Sequence, residues 1–149
     1  MITLDYKIAL DEINHIISVS KNKVDDVLEF LFNNFEKYSW IGIYIVKGND
    51  LHLGPWRGKQ VTEHTKIPIG KGICGSAAKS GKTEIIPDVN RDPRYLSCFV
   101  STKSEIVVPI KKDKKIFGEI DIDSDRKNAF SSVDKEFLEK IADMLSLHI

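Results

Sequence analysis

Apolar positions over the first 38 residues recur at helical spacing. Ile13, Ile16 and Ile17 form a short stripe, and Val24, Val27, Leu28, Leu31, Phe32 and Phe35 form a longer one. Ser20-Lys21-Asn22 separates the two helices this predicts. The pattern then changes. Ser39 to Val46 is rich in β-branched and aromatic residues and predicts a strand, with Gly48-Asn49-Asp50 as a turn. Leu51-His52-Leu53 reads as its partner, ended by Pro55 and Gly58. Gly70-Lys71-Gly72 leads into a short helix over Ile73 to Ser80 that closes near Gly81. Glu84-Ile85-Ile86 reads as a short strand stopped by Pro87.

Asp88 to Ser104 has little periodicity and reads as one long loop carrying Cys98. Loops beyond about 12–15 residues in compact domains tend to bind ligands, act as lids or stay disordered. Glu105 to Ile110 and Ile116 to Ile122 predict a hairpin through the charged turn Lys111 to Lys115. Ser131-Ser132-Val133-Asp134 has capping-box form and opens a last helix, with Val133, Phe137, Ile141, Met144 and Leu145 as its apolar stripe. The order is two helices, two strands, a short helix, three strands and a helix. Hairpin-length connections make the sheet mostly antiparallel, so the fold class expected is α+β with helices flanking a sheet.

Length and charge narrow the classes. The chain has 149 residues, enough for a single domain. Its 22 basic and 22 acidic residues balance, which argues against broad nucleic-acid binding. No apolar run approaches the roughly 18 residues of a membrane span, and the N-terminus has no signal-peptide pattern, so a cytoplasmic location is expected. Cys74 and Cys98 lack zinc-ligand spacing and cannot build a disulfide framework, so they read as thiols. His15, His52, His64 and His148 are scattered, and no nucleotide-binding glycine motif is present. Neither a metal nor a cofactor is expected.

Several residues could carry chemistry. Cys74 falls at the start of the short helix, where free N–H groups and the helix dipole favour a thiolate; it reads equally as a small buried residue under the sheet. Cys98 in the loop is either an accessible reactive thiol or an incidental side chain. Asp121 and Asp123 flank Ile122 and so point to one face of a strand. The residues before them, Phe117 to Ile120, do not mark that face as a polar exterior. Glu105 opens the neighbouring strand and could join the two aspartates. Three carboxyls in one pocket would raise the pKa of at least one and make it a proton donor; otherwise they form a solvated strand end. Trp40 and Tyr44 also share a face, where they either line a site for a methyl group or cation or belong to the core.

In order along the chain, these segments resemble one family, the GAF-fold free methionine-(R)-sulfoxide reductases. The resemblance runs from about Trp40 through Phe137, over Trp40-Ile41-Gly42-Ile43-Tyr44, Leu53-Gly54-Pro55-Trp56-Arg57-Gly58-Lys59, Gly70-Lys71-Gly72-Ile73-Cys74-Gly75 and Pro87-Asp88-Val89. It continues over Ser104-Glu105-Ile106-Val107-Val108-Pro109 and Asp121-Ile122-Asp123-Ser124. It implies a single GAF domain over residues 1–149, with a helical segment to residue 38. It implies reduction of the R epimer of free methionine sulfoxide through a cysteine sulfenic acid and then a disulfide. Cys98 would be the nucleophile and Cys74, or an external thiol, would resolve the intermediate, although these roles could be exchanged. Glu105, Asp121 and Asp123 would hold the substrate ammonium and supply the acid, and Trp40 and Tyr44 would pack around the methyl end. Thioredoxin or a similar dithiol would be the reductant. A homodimer through the N-terminal helices, along the Val24–Phe35 stripe, would fit the same resemblance. Many members carry a third cysteine about ten residues before Cys74; that count lands here on His64. The alternative is a GAF module that binds a small molecule or senses redox state without turnover.

Overall fold

The structure is a computed structural model that describes residues 4–96, 99 and 101–149. Its helices are α1 (Tyr6–Val19), α2 (Lys23–Asn34), α3 (Gly72–Ser80) and α4 (Ser132–Leu145). Its strands are β1 (Trp40–Lys47), β2 (Asp50–Gly58), β3 (Lys66–Pro68), β4 (Glu84–Ile86), β5 (Ser104–Lys112) and β6 (Lys115–Ser124). They form one antiparallel sheet in the order β3-β2-β1-β6-β5-β4. The expected α+β architecture is borne out.

Strand parity divides the molecule into two cores. Ile41 and Ile43 of β1, Ile106, Val108 and Ile110 of β5, and Ile120 and Ile122 of β6 face α1, α2 and α4. Trp40 and Tyr44 of β1 and Val107 of β5 face α3 and the segment after β4. With period two, alternate residues of the central strands are committed to opposite faces. The residues between the isoleucines of β6 therefore point toward α3.

Local chemistry explains the element ends. The Asp5 side chain caps α1 by accepting from the backbone N–H groups of Lys7 and Ile8. Ser131 and Asp134 form the expected capping box of α4. Gly81, left-handed at φ 71°, ends α3. The β5–β6 turn is tighter than the sequence predicts. Only Asp113 and Lys114 form it, both at positive φ, so the flanking strands run longer.

Other expectations are corrected. The N-terminal segment is helical only to Asn34. Pro55 does not end β2: it lies where the β1–β2 register shifts between Gly42 and Tyr44, a place where no ladder N–H is needed. Lys66–Pro68 adds an edge strand too short to show periodicity. Val89–Arg91 forms a 3-10 turn inside the predicted loop, and Ser104 belongs to β5. Val133 is exposed, unlike the rest of its stripe. Within the α2 stripe, Val27, Leu28, Leu31 and Phe35 are fully buried in the core of the chain, while Val24 and Phe32 are partly buried. Among the described residues, no helix is long and apolar enough to cross a membrane.

Candidate active site

The register of three strands assembles an acidic face. On β6, Glu119, Asp121 and Asp123 project toward α3, opposite Tyr44, Gly42 and Trp40 of β1. On the other side, Glu105 of β5 lies directly across from Asp123, and Val107 lies across from Asp121. All four carboxyl residues are buried. Glu105, Asp121 and Asp123 thus come together as the sequence predicts, and as an interior cluster rather than a solvated strand end.

Glu119 was missed by sequence reasoning. Its signal was legible: it has the same parity as Asp121 and Asp123 in Gly118-Glu119-Ile120-Asp121-Ile122-Asp123. It is fully buried, and neither of its oxygens accepts a hydrogen bond from a described residue. Its polar neighbours are Cys74 and Asp121. One oxygen each of Asp121 and Asp123 also lacks a partner among the described residues, while Thr102 Oγ1 donates to the other Asp123 oxygen at 3.4 Å.

Burial is the largest influence on every carboxyl here, and it raises the pKa of all four. For Glu105 the charges of Asp121 and Asp123 add to burial, while hydrogen bonds with Glu105 lower both aspartates. Within the hydrogen-bonded group of Glu105, Asp121 and Asp123, Glu105 is therefore the member that holds the proton, while burial also keeps the separate Glu119 carboxyl up.

The first turn of α3 brings Cys74 over this face. Gly72 enters the helix at φ 69°, and Gly75 packs so closely on the preceding chain that a Cβ there would lie 2.6 Å from the Pro68 carbonyl oxygen. The Gly70 N–H donates to the Gly75 carbonyl at 2.8 Å, which ties the entry loop to the helix. Cys74 Sγ reaches to 4.0 Å from Glu105 Oε2. Of the two readings of Cys74, the small buried residue is the one the structure shows. Burial, followed by the charges of Asp121, Glu119, Glu105 and Asp123, pushes the Cys74 thiol well up. One helix end cannot offset that field. Cys98 lies outside the described residues.

Trp40 and Tyr44 share the α3-side face, as predicted, and close the cluster at two ends. The Trp40 ring stacks on Trp56 at 6.3 Å and meets Phe99 at 5.9 Å. Gly42 and Gly58 give it room, since a Cβ on either would come within 2.4 Å of the ring. The Tyr44 hydroxyl donates to the His64 carbonyl at 2.7 Å. His64, at the count where the family resemblance calls for a third cysteine, thus belongs to the site's wall.

Two spaces adjoin these groups. One, of about 450 Å³, is bordered by Trp40, Phe99, Thr102, Asp123, Tyr38 and Arg126. The other lies among Cys74, Glu105, Asp121, Tyr44, His64 and Leu96 and measures only about 20 Å³. That smaller space has room for about one water. Tyr95 and Leu96 also border this smaller space.

Comparison with known proteins identifies the family. The GAF domain family model matches residues 24–149. The free methionine-R-sulfoxide reductase of Saccharomyces cerevisiae is 46% identical over 112 residues, covering 72% of this chain and 61% of the yeast protein. A structure of fRMsr of Staphylococcus aureus in its reduced form is 33% identical with a TM-score of 0.89, covering 99% of this chain and 98% of that one. The free methionine-R-sulfoxide reductase of Neisseria meningitidis, solved in complex with its substrate, is 29% identical with a TM-score of 0.89, covering 95% and 86%.

Proposed function

Because the chain belongs to the GAF family, among the free methionine-R-sulfoxide reductases, we propose that it reduces free L-methionine-(R)-sulfoxide to methionine by thiol chemistry. The observation that carries this reading is the buried Glu105, Asp121 and Asp123 cluster beneath Cys74. An interior concentration of carboxyls suits a small cationic group, and the ammonium of a free amino acid is one. A methionine sulfoxide inside a polypeptide has no such ammonium.

In this mechanism the Cys98 thiolate attacks the sulfoxide sulfur while an acid protonates its oxygen. The substrate's S–O bond breaks, the protonated oxygen becomes bonded to the Cys98 sulfur as a sulfenic acid, and methionine leaves. Glu105, which keeps its proton, supplies the acid, and Asp121 and Asp123 hold the ammonium. Trp40 and Tyr44 pack against the methyl end. The Cys74 thiol then condenses with the sulfenic acid, forming a disulfide and releasing water. Two thiols of thioredoxin or a similar dithiol reduce that disulfide and become oxidised themselves. The cycle suits a reducing compartment such as the cytoplasm.

The test is a single turnover of reduced protein with each epimer of free methionine sulfoxide, following free thiols and released methionine together. The reading predicts two thiols lost per methionine, with the R epimer only. One thiol lost per methionine would place resolution on an external thiol. No methionine from either epimer, in folded protein, would overturn the reductase reading and leave a ligand-binding or redox-sensing GAF module.

A further inference from the structure

The cluster under Cys74 holds more acidic groups than one ammonium requires. Cys74 Sγ, one oxygen of Glu105 and one oxygen of Asp121 all lie within 4.8 Å of one another, and all three residues are buried. The separation of Cys74 Sγ from Glu105 Oε2 is 4.0 Å. In a tetrahedral zinc site, bonds of about 2.3 Å to sulfur and about 2.1 Å to oxygen place those two ligand atoms about 3.6 Å apart. Small side-chain adjustments therefore suffice to bring these atoms to ligand spacing.

A second observation points the same way. Glu119 is fully buried, and among the described residues neither of its oxygens meets hydrogen-bond geometry, its polar neighbours being Cys74 and Asp121. Asp121 Oδ1 is likewise without a partner among the described residues. Buried acceptors of this kind call for a cation or a donor. The space of about 20 Å³ bordered by Cys74, Glu105 and Asp121 suits a single small ion.

We propose that this cluster binds a thiophilic divalent cation of the zinc type through Cys74 Sγ, Glu105 and Asp121, with Glu119 adding negative charge behind them. The donor set selects the metal. Carboxylates alone suit magnesium or calcium, whereas a thiolate beside carboxylates favours zinc or its spectroscopic substitute cobalt. Ligation displaces the thiol proton of Cys74 and the carboxyl proton of Glu105, so the bound state forms with release of two protons to solvent. No oxidation occurs. A Cys74 held by metal cannot enter a disulfide, so occupancy and thiol oxidation exclude each other. Exclusion of methionine sulfoxide by the metal rests additionally on the function proposed above; ligation itself does not.

The test is titration of the reduced full chain with Co²⁺, following the thiolate-to-cobalt charge-transfer band. Ligation predicts a saturable band of one equivalent that Zn²⁺ displaces. It predicts that the band persists in Cys98→Ser, disappears in Cys74→Ser, and forms about tenfold or more less tightly in Glu119→Gln. Circular dichroism checks that each variant is folded. Absence of a band in the parent chain, its survival in folded Cys74→Ser, or its appearance only at non-saturating millimolar metal would each overturn the proposal. Adding the R epimer to Cys98→Ser separates the two readings. Competition supports both, whereas a Cys74-dependent band untouched by the sulfoxide keeps the metal site and counts against substrate binding there.

Discussion

Cys74 Sγ lies 4.0 Å from Glu105 Oε2, although the two residues are 31 positions apart. One comes from the first turn of α3 and the other from the start of β5. Their meeting sets the chemistry of both. Burial and the surrounding carboxyls keep Cys74 protonated, and burial with Asp121 and Asp123 keeps Glu105 protonated. A protonated thiol is a poor first nucleophile; in the mechanism proposed above Cys74 instead condenses with a sulfenic acid, its proton leaving with the hydroxyl as water.

Glu105→Gln preserves the shape and neutrality of the protonated carboxyl but removes its transferable proton. If Glu105 is the acid, kcat with the R epimer falls about 10²–10⁴-fold while KM changes little. Steady-state kinetics with a dithiol reductant measure the split. A raised KM with unchanged kcat would move the acid to another group.

Glu119→Gln changes how stability depends on pH. An unfolded glutamate titrates near pH 4.3, about its reference value, and burial raises the folded value well above that. The protonated form favours folding, so this contribution is intact below about pH 4 and is lost as pH rises through the raised folded value. Glu119→Gln lacks that loss. Urea denaturation at about pH 4 and about pH 8 is expected to show the variant gaining on the parent by more than about 1 kcal/mol at the higher pH.

Gly75→Ala would place a Cβ 2.6 Å from the Pro68 oxygen and 3.0 Å from the Gly70 nitrogen. Both are backbone atoms and cannot swing aside. The expected cost is about 1–3 kcal/mol, from overpacking at the first turn of α3. Alkylation of Cys74 is expected to become faster as that turn loosens. Thermal unfolding and mass spectrometry of the alkylated protein follow the two effects.

Leu28→Ala tests whether the α2 stripe is core or contact. Leu28 is fully buried within one chain, so the substitution should cost about 2–5 kcal/mol of folding free energy. The cost should not depend on protein concentration. A concentration-dependent loss in denaturation experiments would instead assign the stripe to an interface.

Asp134→Asn removes a buried charge that joins three elements. Asp134 accepts from Lys37 at 2.7 Å, from the Ser131 backbone N–H at 2.8 Å and from the Tyr6 hydroxyl. Burial pushes its pKa up, but these hydrogen bonds prevail and hold it below the usual carboxylate range. The stability it contributes is present above the unfolded value of about 3.9 and is lost as pH falls through the folded value. The variant should be about 2 kcal/mol less stable near neutral pH, with the gap closing in acid. Chemical denaturation at several pH values measures this.

Periodicity alone determined most of the elements. The Val27, Leu28, Leu31 and Phe35 stripe, the Ser131–Asp134 cap and the alternation of Ile120 and Ile122 with acidic residues are local patterns, and each has one low-energy reading. Parity even placed Asp121 and Asp123 on one face. The same parity places Glu119 beside them, but parity does not reveal which face is covered, so the burial of all three carboxyls is a matter of tertiary structure. Pro55 was misread because a register shift against Gly42 and Tyr44 belongs to two strands at once. The state of Cys74 was likewise beyond local reading. Its helix start is visible in sequence, but its protonation depends on carboxyls of β5 and β6, and only long-range pairing brings those charges within reach in a buried, weakly screening interior.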